Sequence, residues 1–240
     1  MFYYFPELEW FFGSIFFYGL LYLFVDFEYR SVDSYHLLTI DRKRYFQKNI
    51  VKAFALTFIS IYGTIVIYEG FIYNKWDKVM INRVGYMYSA LDFLGLLKVK
   101  NLPNNSKIHH ITTFILSYVN TLIDYSQNSF WIGLPVYCIL SCYACGVNVF
   151  LGQRLIKPLT ELTGLIKFNI ISYVLLLLIN WAYQIYNIAS KVGLNYGWDS
   201  LLFVSLLLFV ANDDVKLVKF LYHHLKKVDK IDRLPMMEGI

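Results

Sequence analysis

The chain has 240 residues, 58% of them hydrophobic and 19% aromatic, with only 16% charged and a mean hydropathy of +0.47. A soluble domain carries about 45–50% apolar and about 25% charged residues, so a water-soluble globular protein is excluded and one membrane-embedded domain is expected. The formal net charge of +5 then reads as a topology signal and an attraction to anionic headgroups, with no nucleic-acid partner implied.

No cleavable signal peptide is expected, because residues 1–8 contain no Lys or Arg and Glu7 and Glu9 stand where a positive n-region belongs. A spanning helix needs about 20 mostly apolar residues. Candidates in chain order are Glu9–Phe27, Asn49–Phe71, Val84–Val99, Ile108–Asp124, Phe130–Leu151, Ile166–Ala189 and Trp198–Ala211. The third and seventh are short, so the expected fold is an all-α, polytopic membrane bundle of six to seven transmembrane helices around a polar intramembrane cavity. With seven spans and the N-terminus outside, basic residues divide about four to one in favour of the inside loops. That places the N-terminus on the lumenal side and the C-terminus in the cytoplasm. Residues 1–48 form the first span with a basic loop, 49–219 the main transmembrane domain and 220–240 a basic cytoplasmic tail. The apolar spacing of Val215, Val218, Leu221 and Leu225 among lysines also suits an amphipathic helix on the membrane surface.

Several spans carry a polar stripe. On the fourth, steps of about 100° per residue put His109, Thr113, Ser117, Asn120 and Asp124 on one narrow arc, with His110 at its edge. Asp92 lies in the third span, Tyr137, Ser141 and Asn148 share a face of the fifth, and Tyr173, Asn180 and Gln184 share a face of the sixth. A lone Ser, Thr or Asn in a span generally serves helix–helix hydrogen bonding. Stripes that converge, and that include ionisable groups, point to a bundle interior or a watery cavity.

Adjacent histidines diverge by about 100° on a helix and lack the i, i+4 spacing of a zinc helix, so no metal is expected. Acid–base or nucleophilic work suits them better: one imidazole attacks or deprotonates and the other donates or orients, with Asp92 able to orient. Capping of the helix start is the competing reading. Cys138, Cys142 and Cys145 read as small packing residues.

The stretch "KIHHITTFILSYVN" (Lys107–Asn120), Asp92 in "YSALDFL" and "SCYACGVN" (Ser141–Asn148) resemble the TLC-domain family, which contains ceramide synthases and the translocating-chain-associated membrane proteins. The Arg-x-Gly and His-Asp-x-x-Asp elements of ceramide synthases are missing after Asp124, and the acidic residue expected near Ser141 is absent. The similarity is therefore closer to the small TLC-domain proteins.

The resemblance implies residence in the endoplasmic reticulum and a role in lipid metabolism of the sphingolipid kind. If the chain is an enzyme, it implies acyl transfer from acyl-CoA as co-substrate to a lipid amine or hydroxyl. His109, His110 and Asp92 would then be catalytic. Thr113, Ser117, Asn120, Asp124, Asn148, Asn180 and Gln184 would line the substrate site, and Lys98, Lys100 and Lys107 would meet the CoA phosphates. The partners are membrane lipids, and homo-oligomerisation is compatible. The alternative is a non-catalytic lipid-binding, lipid-sensing or trafficking protein that kept the cavity. A secondary transporter ranks third, because only Gly133 and Pro135 hint at a broken helix.

Overall fold

The computed structural model describes residues 6–102, 104–123, 125, 130–191 and 198–232. Among these residues there are nine α-helices, one short 3₁₀ turn and no strand. The helices are α1 (Pro6–Tyr29), α2 (Asp33–His36), α3 (Ile40–Tyr73), α4 (Lys78–Lys98), α5 (Asn104–Leu122), α6 (Gly133–Cys142), α7 (Cys145–Gln153), α8 (Thr163–Ala189) and α9 (Trp198–Asp232). The architecture is all-α.

By length and apolarity, α1, α3 and α8 can each cross a membrane, and α6 with α7 form a fourth candidate if that bent pair is one span. Helices α4, α5 and α9 fall on the other expected segments. Their interleaved polar and charged residues keep them below the apolarity of the first group.

Helix ends follow local chemistry. The α3 helix begins at Ile40, well before the expected Asn49, because Thr39 caps it and accepts from the Arg42 backbone N–H at 3.4 Å. It stops where Asn74 turns left-handed at φ 52°. Asp77 caps α4 by accepting from the N–H groups of Val79 and Met80 at 2.9 and 3.1 Å. The expected division at 48/49 lies within α3 and that at 219/220 within α9.

The α6–α7 pair bends by 42°. Just before the bend, the Ser141 hydroxyl donates to the Tyr137 carbonyl at 2.8 Å and the Cys142 thiol approaches the Cys138 carbonyl at 3.1 Å. Side-chain back-bonding of this kind loosens the backbone ladder. Tyr143 and Ala144 then make i→i−3 bonds to Leu140 and Ser141.

Each lipid-suited helix buries one stripe. On α1 the buried residues are Phe11, Ser14, Tyr18, Tyr22 and Val25, while Phe12, Phe16, Leu23 and Phe27 are exposed. One core cluster joins α1, α3, α4 and α6, and a second joins α7, α8 and α9. Amide side chains lock helices together. Gln184 donates to the Gly133 carbonyl at 2.9 Å, Asn187 to the Phe130 carbonyl at 2.7 Å, and Asn169 to the Gly146 carbonyl at 3.0 Å.

A Cβ at Gly133 would run into Gln184 Oε1 and lie 2.8 Å from Phe203 Cζ. Gly133→Ala therefore destabilises the protein by about 1–3 kcal/mol, the range for overpacking. Thermal unfolding of the purified variant in detergent measures the loss, and an unchanged midpoint would refute this tight α6–α8 contact.

Candidate functional site

Three helices bring three charged or ionisable side chains together in the interior. Lys52 is the single charge in the apolar run "IVKAFAL" of α3, Asp92 lies mid-way along α4, and His110 lies near the start of α5. Lys52 Nζ donates to Asp92 Oδ1 at 2.9 Å, and His110 Nδ1 lies 2.8 Å from the same oxygen. The His110 approach is out of line with the ring N–H, so it is an ion-pair contact rather than an aligned hydrogen bond. The Asp92 side chain is 0% exposed, that of His110 3% and that of Lys52 13%. Buried carboxylates persist only when paired, and Asp92 has two cation-capable partners on one oxygen. Its other oxygen, Oδ2, is buried and accepts no hydrogen bond among the described residues.

His109 points elsewhere, as the 100° step requires. Its ring lies 5.8 Å from that of His110 at 75°. Its Nδ1 sits 3.3 Å from Asp213 Oδ2 on α9, and Asp213 Oδ1 also meets Lys216 at 3.6 Å. Like the His110 contact, the His109–Asp213 approach is an ion-pair distance without an aligned hydrogen bond, and it places the carboxylate on the Nδ1 side of the ring, with Nε2 the farther nitrogen. The neighbouring Asp214 is buried and accepts from two phenols, Tyr137 at 2.6 Å and Tyr173 at 2.7 Å.

Both groups border a partly open cavity of about 290 Å³ lined by residues of α3 to α9, close to the lower end of small-molecule sites, about 300–1,000 Å³. Its wall is mainly apolar, with Leu56, Ile81, Val84, Leu116, Pro135, Val147 and Val210 among the lining residues. Its polar lining includes Lys52, His109, Asp213, Asp214, Tyr137, Tyr173, Ser141 and Asn148. Thr113, Ser117 and Asn120 line it too. The Thr113 hydroxyl donates to the His109 carbonyl at 2.9 Å, and the Ser117 hydroxyl is shared between the Thr113 and Gly85 carbonyls at 3.0 and 3.1 Å. Asn120 donates to Asn82 at 3.0 Å and accepts a short bond from the Tyr125 hydroxyl. The Thr113 and Ser117 hydroxyls therefore present lone pairs and apolar edges to the cavity, their protons being engaged already, while one N–H of Asn120 is engaged by Asn82.

The other expected site residues are placed differently. Asp92 and His110 stand behind the cavity wall, coupled to it through Lys52. Asn180 and Gln184 pair with each other at 3.2 Å in the α6–α8 contact and do not line the cavity. Asp124 lies outside the described residues. Lys98, Lys100 and Lys107 are exposed around the α4–α5 connection, with Lys98 Nζ 5.5 Å from the Tyr22 ring centroid. No group of three or more His, Cys, Asp or Glu side chains able to hold a metal occurs among the described residues.

Towards the end of α9, His224 packs on Phe220 and faces Arg154, and burial lowers its pKa below the ordinary imidazole value.

Lys52, Asp213 and Asp214 were not singled out as site residues from sequence. For Lys52 the available signal was a lone charge in an apolar run, since such residues face a bundle interior by default; Asp213 and Asp214, an acidic pair just past the expected seventh span, carried no such signal. Comparison with family models, curated proteins and solved structures gives no match.

Proposed function

We propose that this is a multi-pass membrane protein of lipid metabolism, akin to the small TLC-domain proteins. Six to seven helices cross the endoplasmic reticulum membrane, with the N-terminus lumenal and the C-terminus cytoplasmic. It acts as an acyltransferase-like protein that moves an acyl group from acyl-CoA to a lipid amine or hydroxyl. The observation that carries the reading is His109, which lines an apolar cavity while its Nδ1 lies 3.3 Å from the Asp213 carboxylate. An apolar wall suits hydrocarbon, and an imidazole with a carboxylate beside it suits a general base.

In that role His109 Nε2 takes the proton of the acceptor amine or hydroxyl as its nitrogen or oxygen attacks the thioester carbonyl. The C–S bond then breaks, and the departing CoA thiolate recovers that proton from the imidazolium. Asp213 stabilises the imidazolium in between. His110 and Asp92 position α5, and the exposed Lys98, Lys100 and Lys107 at the α4–α5 connection supply charge for CoA phosphates.

A second reading has one observation in its favour. Lys52 and His110 both close on a single Asp92 oxygen, the arrangement of a structural ion cluster. A lipid-binding protein without chemistry would retain it.

Reconstituting the purified protein with labelled acyl-CoA and mixed lipid acceptors separates the two. Acylated lipid from the wild type, lost in His109→Ala, supports transfer. Absence of product together with saturable lipid binding leaves the binding reading alone.

A further inference from the structure

Charge bookkeeping in the interior leaves a surplus on one side. Lys52 shares Asp92 with His110, and Lys48, one turn earlier on α3, is also buried, at 8% exposure. Lys48 Nζ lies 5.6 Å from the Tyr45 ring centroid and forms no ion pair with a carboxylate among the described residues. With both lysines as ammonium ions, two positive charges face one carboxylate. On the α9 side of the cavity Asp213 pairs with Lys216 and lies near His109, while Asp214 keeps its charge and is solvated by the hydroxyls of Tyr137 and Tyr173, so the positive surplus is local to the α3 side, around Asp92. Of the two lysines, Lys52 is the one that borders the cavity, beside Leu56, Tyr88 and Cys138. Its ammonium has three donors. One goes to Asp92, and the Tyr88 ring centroid lies 5.4 Å away.

We propose that Lys52 is the headgroup site for a long-chain fatty carboxylate whose alkyl tail lies along the apolar wall of the cavity. This rests on the acyl-handling reading above and names the ligand's ionic end. A monoanion matches the local surplus of Lys48 and Lys52 over Asp92 on the α3 side, and a charge-assisted N–H···O bond in a low-dielectric cavity is stronger than the same bond in water. The carboxylate takes a free Nζ donor without displacing Asp92. The tail excludes water from the pair and strengthens it further.

The test uses the full-length protein in detergent. A fluorescent polyene fatty acid, cis-parinaric acid, is titrated against its methyl ester. The wild type binds the acid at least about tenfold more tightly than the ester, the discrimination expected for one charge-assisted bond. Lys52→Met abolishes the preference and Lys52→Arg keeps it. Because Lys52→Met leaves Asp92 with one partner fewer, the K52M/D92N double substitution, which removes both charges, is measured alongside and also shows no preference. Equal binding of acid and ester by the wild type, or a preference surviving in K52M/D92N, overturns the proposal while leaving an acyl cavity. Binding of neither probe overturns the acyl cavity as well.

Discussion

Asp92→Ala is expected to be the most destabilising single substitution in the interior, at about 3–5 kcal/mol, the cost of removing one partner from a buried ion pair. The carboxylate is fully buried and meets Lys52 and His110 on one oxygen. Without it, Lys52 is left as an ammonium beside an apolar cavity, with Lys48 one turn away adding like-charge repulsion. The effect also crosses elements, since the three partners sit on α3, α4 and α5, so the loss loosens helix–helix packing as well as charge balance. Unfolding of the purified protein in detergent reads the change. Pairing Asp92→Ala with Lys52→Met recovers a large part of the loss, because the coupled charges disappear together. A single mutant as stable as the wild type would show that the cluster does not hold the three helices together.

The second large effect separates the two histidines. His109→Ala is expected to lower acyl transfer by about 10²–10⁴-fold, the contribution of a positioned general base, with little change in stability because its side chain is one-third exposed. Asp213→Asn gives a smaller loss in the same assay, since it keeps the side-chain shape at Nδ1 and removes the charge that favours the imidazolium. His110→Ala behaves in the opposite way: its ring is buried against Asp92, so stability falls, and activity falls only as the folded fraction does. Turnover per folded molecule, with unfolding measured on the same samples, distinguishes them. A His110→Ala protein that is stable but inactive, beside an active His109→Ala, would reverse the assignment.

The glycine-packed amide contacts are a lesser but independent element. Gln184 and Asn187 on α8 reach backbone carbonyls of Gly133 at the start of α6 and of Phe130 in the 3₁₀ turn before it, where an unpaired amide in hydrocarbon would be costly. They therefore read as the α6–α8 fastening, and Gly133 supplies the close approach that makes it possible.

Sequence by itself determined that the chain is all-α with helices long and apolar enough to cross a membrane, and where its main helices run, because apolar length and the 3.6-residue period are local properties. It also determined that His109 and His110 diverge, since adjacent side chains on a helix are fixed at about 100°. Thr113, Ser117 and Asn120 were legible as cavity-facing for the same reason, sitting on the His109 arc. The partners of these residues were decided only by tertiary structure. Asp92 is 40 residues from Lys52 and 18 from His110, while His109 finds Asp213 more than 100 residues away. Such pairings depend on which helices pack side by side, and helical period cannot encode that. Asn180 and Gln184 show the same limit from the other direction. Their stripe is as polar as that of α5, yet it faces the start of α6, because the missing side chain at Gly133 brings its carbonyl within reach of Gln184.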